Sequence, residues 1–434
     1  MFAYYCNLAL RSFGRNKVLT ALMVLAIALG IGASMTTLTV FHVLSGDPIP
    51  QKSERLFHVQ VDPEMLAGYT PGDEPQSDIS RYDGETLLQQ KQAKRQVLMT
   101  GGSITVEPAG GALKPFMLDG RYTTPDFFTM FDVPFLFGRA WSASDDDGQA
   151  RVVVIAKVLN DKLFNGADST GKTLRIDGHD FQIVGVIDDW APKPLFYDLN
   201  VGTYNTDEQV FEPFQTAIGL GQSRSGSMNC YGPEATIDGT ARGAPCAFAQ
   251  YWVELDSASK ADDFKAYLDR YSQQQHESGR FQRPPNTRLR NVMDWLDYNG
   301  AVPGDVRLQL WLAMGFLLVC LVNTVGLLLA KFLRRSGEIG VRRALGASRT
   351  EIFKQCLVEA GSIGLAGGVL GLGLAELGLW AVRHRPTGYA ALAQLDLSML
   401  LMTFVLAVCA SLVAGLLPAW RAMQITPAVQ LKTQ

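Results

Sequence analysis

The chain predicts a membrane protein with four transmembrane α-helices and a large α+β domain inserted between the first and the second. Three observations predict it. Apolar runs occupy 18–45, 306–333, 352–382 and 397–420, each at or beyond the roughly 20 residues that cross a bilayer core of about 30 Å as a helix. Between the first two runs lies a polar, mixed stretch, 46–305, long enough for a folded domain of its own. Basic residues gather at Arg11, Arg15 and Lys17 and again at 334–351, which marks both flanks as cytoplasmic by the positive-inside rule. The 434 residues are 47% hydrophobic with a net charge of −3, and the mean hydropathy is +0.07. That is too apolar for an ordinary soluble protein and too polar for one wholly in lipid. The near-neutral charge gives no support for nucleic acid as a partner.

Residues 1–17 form a cytoplasmic N-terminal segment, within which Phe2 to Phe13 is amphipathic and suited to the membrane surface. The apolar run that follows lacks a clean small-residue cleavage site, so it is an uncleaved span. Its Gly30, Gly32, Ala33 and Ser34 are either a face for close helix packing or simple membrane glycines. In the insert, Leu56 to Val61, Gln96 to Val106, Arg151 to Ile155, Thr173 to Ile176 and Phe181 to Ile187 alternate as strands. Asp126 to Phe131, Val158 to Phe164 and Ala261 to Gln275 have helical periodicity. The mixture predicts an α+β domain of two lobes, with Gly202 to Gly243 as a long surface loop. Cys230 and Cys246, close together in a Gly/Pro/Ser-rich stretch outside the membrane, are a candidate disulfide. Cys6, Cys320, Cys356 and Cys409 lie in or beside apolar runs, where a thiol is a small hydrophobe.

Gly166 to Thr173 satisfies the phosphate-loop pattern GxxxxGK[ST]. The chemistry needs a strand before the loop and a helix after it, so that helix N-terminal amides cradle phosphate. Here the order is inverted, and the stretch reads as a glycine turn opening a hairpin. The five histidines, His42, His58, His179, His276 and His384, are scattered and predict neither a metal site nor a catalytic group; most are expected at the surface. The second span carries Asn323 as an intramembrane polar residue. The third is rich in glycine and carries two acids, Glu359 about two turns in and Glu376 near its outer end. Carboxylates inside a membrane are costly and often functional. Glu359 is expected to partner the nearby arginines; Glu376 is either a snorkelling acid or a substrate contact. Residues 383–396 then form an external loop and 421–434 a cytoplasmic tail.

The most patterned stretch joins the second and third spans. Ile339, Arg342, Arg343, Leu345 and Gly346 predict an amphipathic helix of about two turns, closed by Gly346, with Ser348 capping the next helix. Glu338-Ile339-Gly340-Val341-Arg342-Arg343-Ala344-Leu345-Gly346-Ala347-Ser348 resembles the loop of ABC-transporter permeases of the MacB/FtsX kind, where it is a coupling helix that docks on an ATPase. Thr124 to Phe128 with Phe137-Gly138-Arg139, and Val152 to Val186, resemble the MacB-type periplasmic domain. Pro418 to Ala428 is similar to the C-terminal signature. Glu359 matches a glutamate common after the coupling helix.

The resemblance implies a non-catalytic permease subunit of the bacterial inner membrane, with ATP and magnesium held by a separate ATPase chain. It implies a second permease copy, as a homodimer or related heterodimer, and mechanotransmission: ATPase closure moves the coupling helices, and the periplasmic domains change shape to export a peptide, drug or other substrate. A periplasmic adaptor and an outer-membrane channel accompany that branch. Lipoprotein release and FtsX-like regulation of a cell-wall hydrolase are the alternatives the family offers.

Overall fold

In a computed structural model of the chain, residues 17–108, 113–204, 207–231, 238–385, 390, 393–395 and 397–424 are described. Phe2 to Phe13, Cys6, the Ile425 to Ala428 part of the C-terminal signature and half of the loop 383–396 lie outside them. The chain divides into two compact units: 1–45 with 302–434, and 46–301.

Among the described residues, four helices in the first unit are long and apolar enough to cross a membrane: Lys17–Ser45, Gly304–Arg334, Arg349–Arg383 and Leu397–Met423. The first packs on the second and third, and the fourth on the second and third. Small residues permit the close approach. A Cβ on Gly364 would fall 2.0 Å from Ser411 Oγ, and one on Gly367 would fall 2.6 Å from Ile27. Gly30 and Gly32 meet the second and third helices in the same way, and Ser34 Oγ donates to Ala313 O at 3.1 Å. Those first-span positions are therefore packing surface, whereas Ala33 faces outward. Lipid tails are as apolar as the helices, so backbone proximity rather than apolar burial drives such packing.

Among the described residues, the second unit is built on one mixed sheet of thirteen strands. Its main path runs Arg288–Asn291, Leu56–Gln60, Cys246–Glu254, Arg95–Glu107, Phe116–Thr123, Val210–Pro213, Val152–Ala156, His179–Ile187 and Phe135–Gly138. Alternation sorts the core. Val97 and Met99 join Trp252, Phe127 and Phe131 in one apolar layer, while Leu98 joins Val59, Phe264 and Leu268 in the other. Successive side chains of a strand point to opposite faces. The two lobes expected from the sequence are thus two layers on one continuous sheet.

The expected loop 202–243 is also corrected. Val210–Pro213 is a strand buried at all four residues, parallel to Phe116–Thr123 and antiparallel to Val152–Ala156. A strand so short and covered on both faces shows no alternation. The helix Phe214–Gly219 follows it directly. Cys230 and Cys246 are joined by a disulfide and pair across adjacent strands. Residues 166–173 lead from the helix Lys157–Phe164 to the strand Thr173–Ile176, with Gly171 at φ +81°, so the geometry of a phosphate loop is not formed there.

His58 departs from the surface position expected of most histidines. It is fully buried, stacked on Trp295 at 3.8 Å and edge-on to Trp252. Burial and the Arg290 guanidinium push it down to about 3, so it is a neutral packing group.

Glu212, in the central strand, is fully buried, and burial pushes its carboxyl up to about 8. The folded state therefore holds a proton that the unfolded chain releases near its ordinary value. Its contribution to stability is complete below that ordinary value and is lost as pH rises towards 8. Glu212→Gln should flatten this dependence. The drop in thermal midpoint between pH 5 and pH 8 should shrink by roughly 3 °C or more, equivalent to about 1 kcal/mol in a domain of this size. Scanning fluorimetry of the detergent-solubilised full chain at both pH values measures it; an unchanged drop would contradict the assignment.

Candidate functional site

The second long helix ends at Arg335 (φ −100°, ψ 12°), and a separate helix, Ser336–Ala344, begins at once. Glu338 lies in its first turn and Arg342 and Arg343 in its last, each complementing the helix dipole. Glu338 pairs with Arg342 one turn on, at 3.1 Å. The helix is closed as predicted: Gly346 sits at φ +102°, a conformation that favours glycine, and its N–H donates to Arg343 O at 3.2 Å. Ala347 N–H donates to Arg342 O at 3.0 Å. Ser348 then caps the third long helix in a reciprocal box with Glu351.

The structure divides the predicted coupling residues between two faces. Ile339 and Gly340 are buried, and Ile339 belongs to the apolar core of the helical bundle. Both face the chain's own bundle, unlike the outward position expected for an anchor such as Ile339. Arg342 reaches Gln355 Oε1 at 3.1 Å, and Arg343 reaches Met423 O at 3.5 Å. The outward face instead carries Gly337, Val341, Ala344 and Leu345, at helical spacing. Leu345 is 84% exposed and Val341 59%. Val341 was absent from the anchors expected from the sequence. Arg334, Arg349 and Lys354, which flank the helix in sequence, are exposed as well.

Glu359 is buried in the bundle, as the partner it was expected to be, but to more than arginine. Its Oε1 lies 2.8 Å from Lys331 Nζ, and its Oε2 lies 3.0 Å from Arg335 Nη1. Lys331, itself wholly buried, was missed as a partner because it reads as one more basic residue of the loop. Glu376 is half exposed and ion-paired with Arg383 at 2.5 Å, while Asn323 is exposed on the outer side of the second helix. Neither joins this group. Among the described residues, no three His, Cys, Asp or Glu side chains gather as a metal site.

Comparison with known proteins places this architecture. Residues 20–271 match the model of the MacB-like periplasmic core domain, and 311–427 match that of the FtsX-like permease C-terminal domain. The pyoverdine export ATP-binding/permease protein PvdT of Pseudomonas aeruginosa is 25% identical over 424 residues, covering 96% of this chain and 57% of that protein. The macrolide export ATP-binding/permease protein MacB of an Azoarcus species is 24% identical over 433 residues, covering 98% and 59%. The chain thus spans less than two thirds of the length of these curated relatives. The crystal structure of the periplasmic region of MacB from Actinobacillus actinomycetemcomitans aligns with 59% of this chain and 96% of that one, at a TM-score of 0.37 and 14% identity. With more than half its length matched by the first model, the chain belongs to the MacB/FtsX-type permease family of ABC transporters, as a multi-pass membrane protein with a MacB-like periplasmic domain.

Proposed function

We propose that this chain is the permease subunit of a MacB-like exporter in the bacterial inner membrane, driven by ATP hydrolysis on a separate polypeptide. The observation that carries the reading is the helix Ser336–Ala344. It is held to its own bundle by Ile339 and turns Val341 and Leu345 outward. Two large apolar side chains on a short helix closed at its C-terminal end by Gly346 make an anchor for a groove in another protein. Closure of a pair of ATP-binding subunits would displace two such helices, one from each permease copy. The long helices would carry that movement to the periplasmic domains, which act on a substrate outside the cytoplasm. A periplasmic adaptor and outer-membrane channel complete the path in this reading.

The test is affinity purification of the tagged full chain from its native cell, followed by reconstitution in lipid nanodiscs with the ATP-binding subunit it captures. The expected result is a complex of two permease and two ATP-binding chains, with magnesium-dependent hydrolysis at least several-fold above that of the ATP-binding subunit alone. Capture of no ATP-binding subunit would overturn the reading.

A further inference from the structure

Six side chains at the cytoplasmic-helix end of the bundle form a continuous polar chain through its interior. Arg342 pairs with Glu338 at 3.1 Å within the cytoplasmic helix. Glu338 pairs with Arg335, the residue at the break between that helix and the second span, at 3.4 Å. Arg335 pairs with Glu359 of the third span at 3.0 Å. Glu359 pairs with Lys331 of the second span at 2.8 Å, and Lys331 Nζ donates to Thr20 Oγ1 of the first span at 3.3 Å. The chain therefore crosses four helices, and its inner members are deeply placed: Lys331 is 0% exposed and Glu359 3%.

A buried ion pair contributes little to stability compared with apolar residues of the same volume, because withdrawing both charges from water costs about as much as their attraction returns. Stability alone therefore does not explain why this bundle carries the group. What such a group supplies is direction: ionic hydrogen bonds hold one register and resist sliding in a way that apolar contacts do not. The chain begins on the inward side of the helix whose outward side carries Val341 and Leu345. A push on that outward side would thus reach the first and third spans through Glu338, Arg335 and Glu359.

We propose that Lys331, Glu359 and Arg335 form a transmission latch, positioning residues that turn displacement of the cytoplasmic helix into concerted displacement of the first three spans. This rests on the permease reading above, and it predicts that docking and transmission separate.

The test uses the full chain in nanodiscs with the ATP-binding subunit captured by the wild type. Two variants are compared: Glu359→Gln, and the double variant Lys331→Met with Glu359→Met, which replaces the ion pair by apolar packing. Both should bind the ATP-binding subunit within about twofold of wild type. Stimulated hydrolysis should fall at least tenfold in both, and the ATP-dependent change in a spin-label distance between two periplasmic domains should be lost. The apolar double variant is decisive, because a purely structural role would be restored by it. Full stimulation and an unchanged distance response in the double variant would overturn the latch. So would failure of the double variant to purify as a folded bundle, since the charges would then be structural. Failure of the wild-type chain to bind an ATP-binding subunit would instead remove the permease reading beneath it.

Discussion

Leu345→Asp is expected to release the ATP-binding subunit from this chain while leaving both of its folded units intact. Leu345 is 84% exposed and contributes nothing to its own bundle, so the substitution leaves no cavity. In a docked interface the same side chain would be a central apolar anchor. Truncation of such an anchor costs about 2 kcal/mol or more, roughly a 30-fold loss of affinity, and a buried carboxylate adds a desolvation penalty. Val341→Asp should act in the same direction. Arg342→Glu should weaken binding by a different route, since it breaks the pair with Glu338 and the contact to Gln355 that set the pose of the helix. Co-purification, stimulated hydrolysis and a transport assay report the result, with the thermal midpoint as the control for folding. Wild-type binding and hydrolysis in both aspartate variants would reduce this helix to a topogenic turn.

Arg121→Ala is expected to destabilise the periplasmic domain by about 3–5 kcal/mol, the cost of removing one partner from a buried ionic group. Arg121 is fully buried in the strand Phe116–Thr123. Its guanidinium donates to Asp198 Oδ2 at 2.7 Å and makes two bonds to Glu208, one of them at 3.2 Å. Tyr197 donates to the same Glu208 carboxylate at 3.1 Å, and its ring lies 5.1 Å from the guanidinium carbon. Without the arginine, two carboxylates would stay buried without their counter-charge. The thermal midpoint of the domain should drop by roughly 10 °C, and protease should cut first near Asp198 and Glu208. The triple variant Arg121→Met, Asp198→Asn, Glu208→Gln should recover most of the loss. A change below about 1 kcal/mol in Arg121→Ala would show that the segment is held by its aromatic contacts instead.

The residues that were legible in advance are those whose signal is local. A run of apolar residues longer than a bilayer is thick can only be a span or a buried helix, and all four runs form helices of 27 to 35 residues. Ser348 and Gly346 take their predicted capping positions because a cap depends on the three or four residues around it. The last five residues of the strand Arg95–Glu107 alternate in burial, and the helix Ala258–Glu277 keeps the helical periodicity of an element with one face more covered than the other. What only the tertiary structure decided is which face of an element is covered, and by what. Ile339 and Leu345 both read as apolar anchors on a two-turn helix; the core of the bundle takes in the first and leaves the second in the open. Val210–Pro213 gave no periodic signal because neighbours enclose it on both faces. Lys331 and Glu359, like Arg121 with Asp198 and Glu208, are far apart in sequence, and no local preference links them. Their pairing is decided by the fold, which places opposite charges at hydrogen-bonding distance where water is excluded and each would be costly alone.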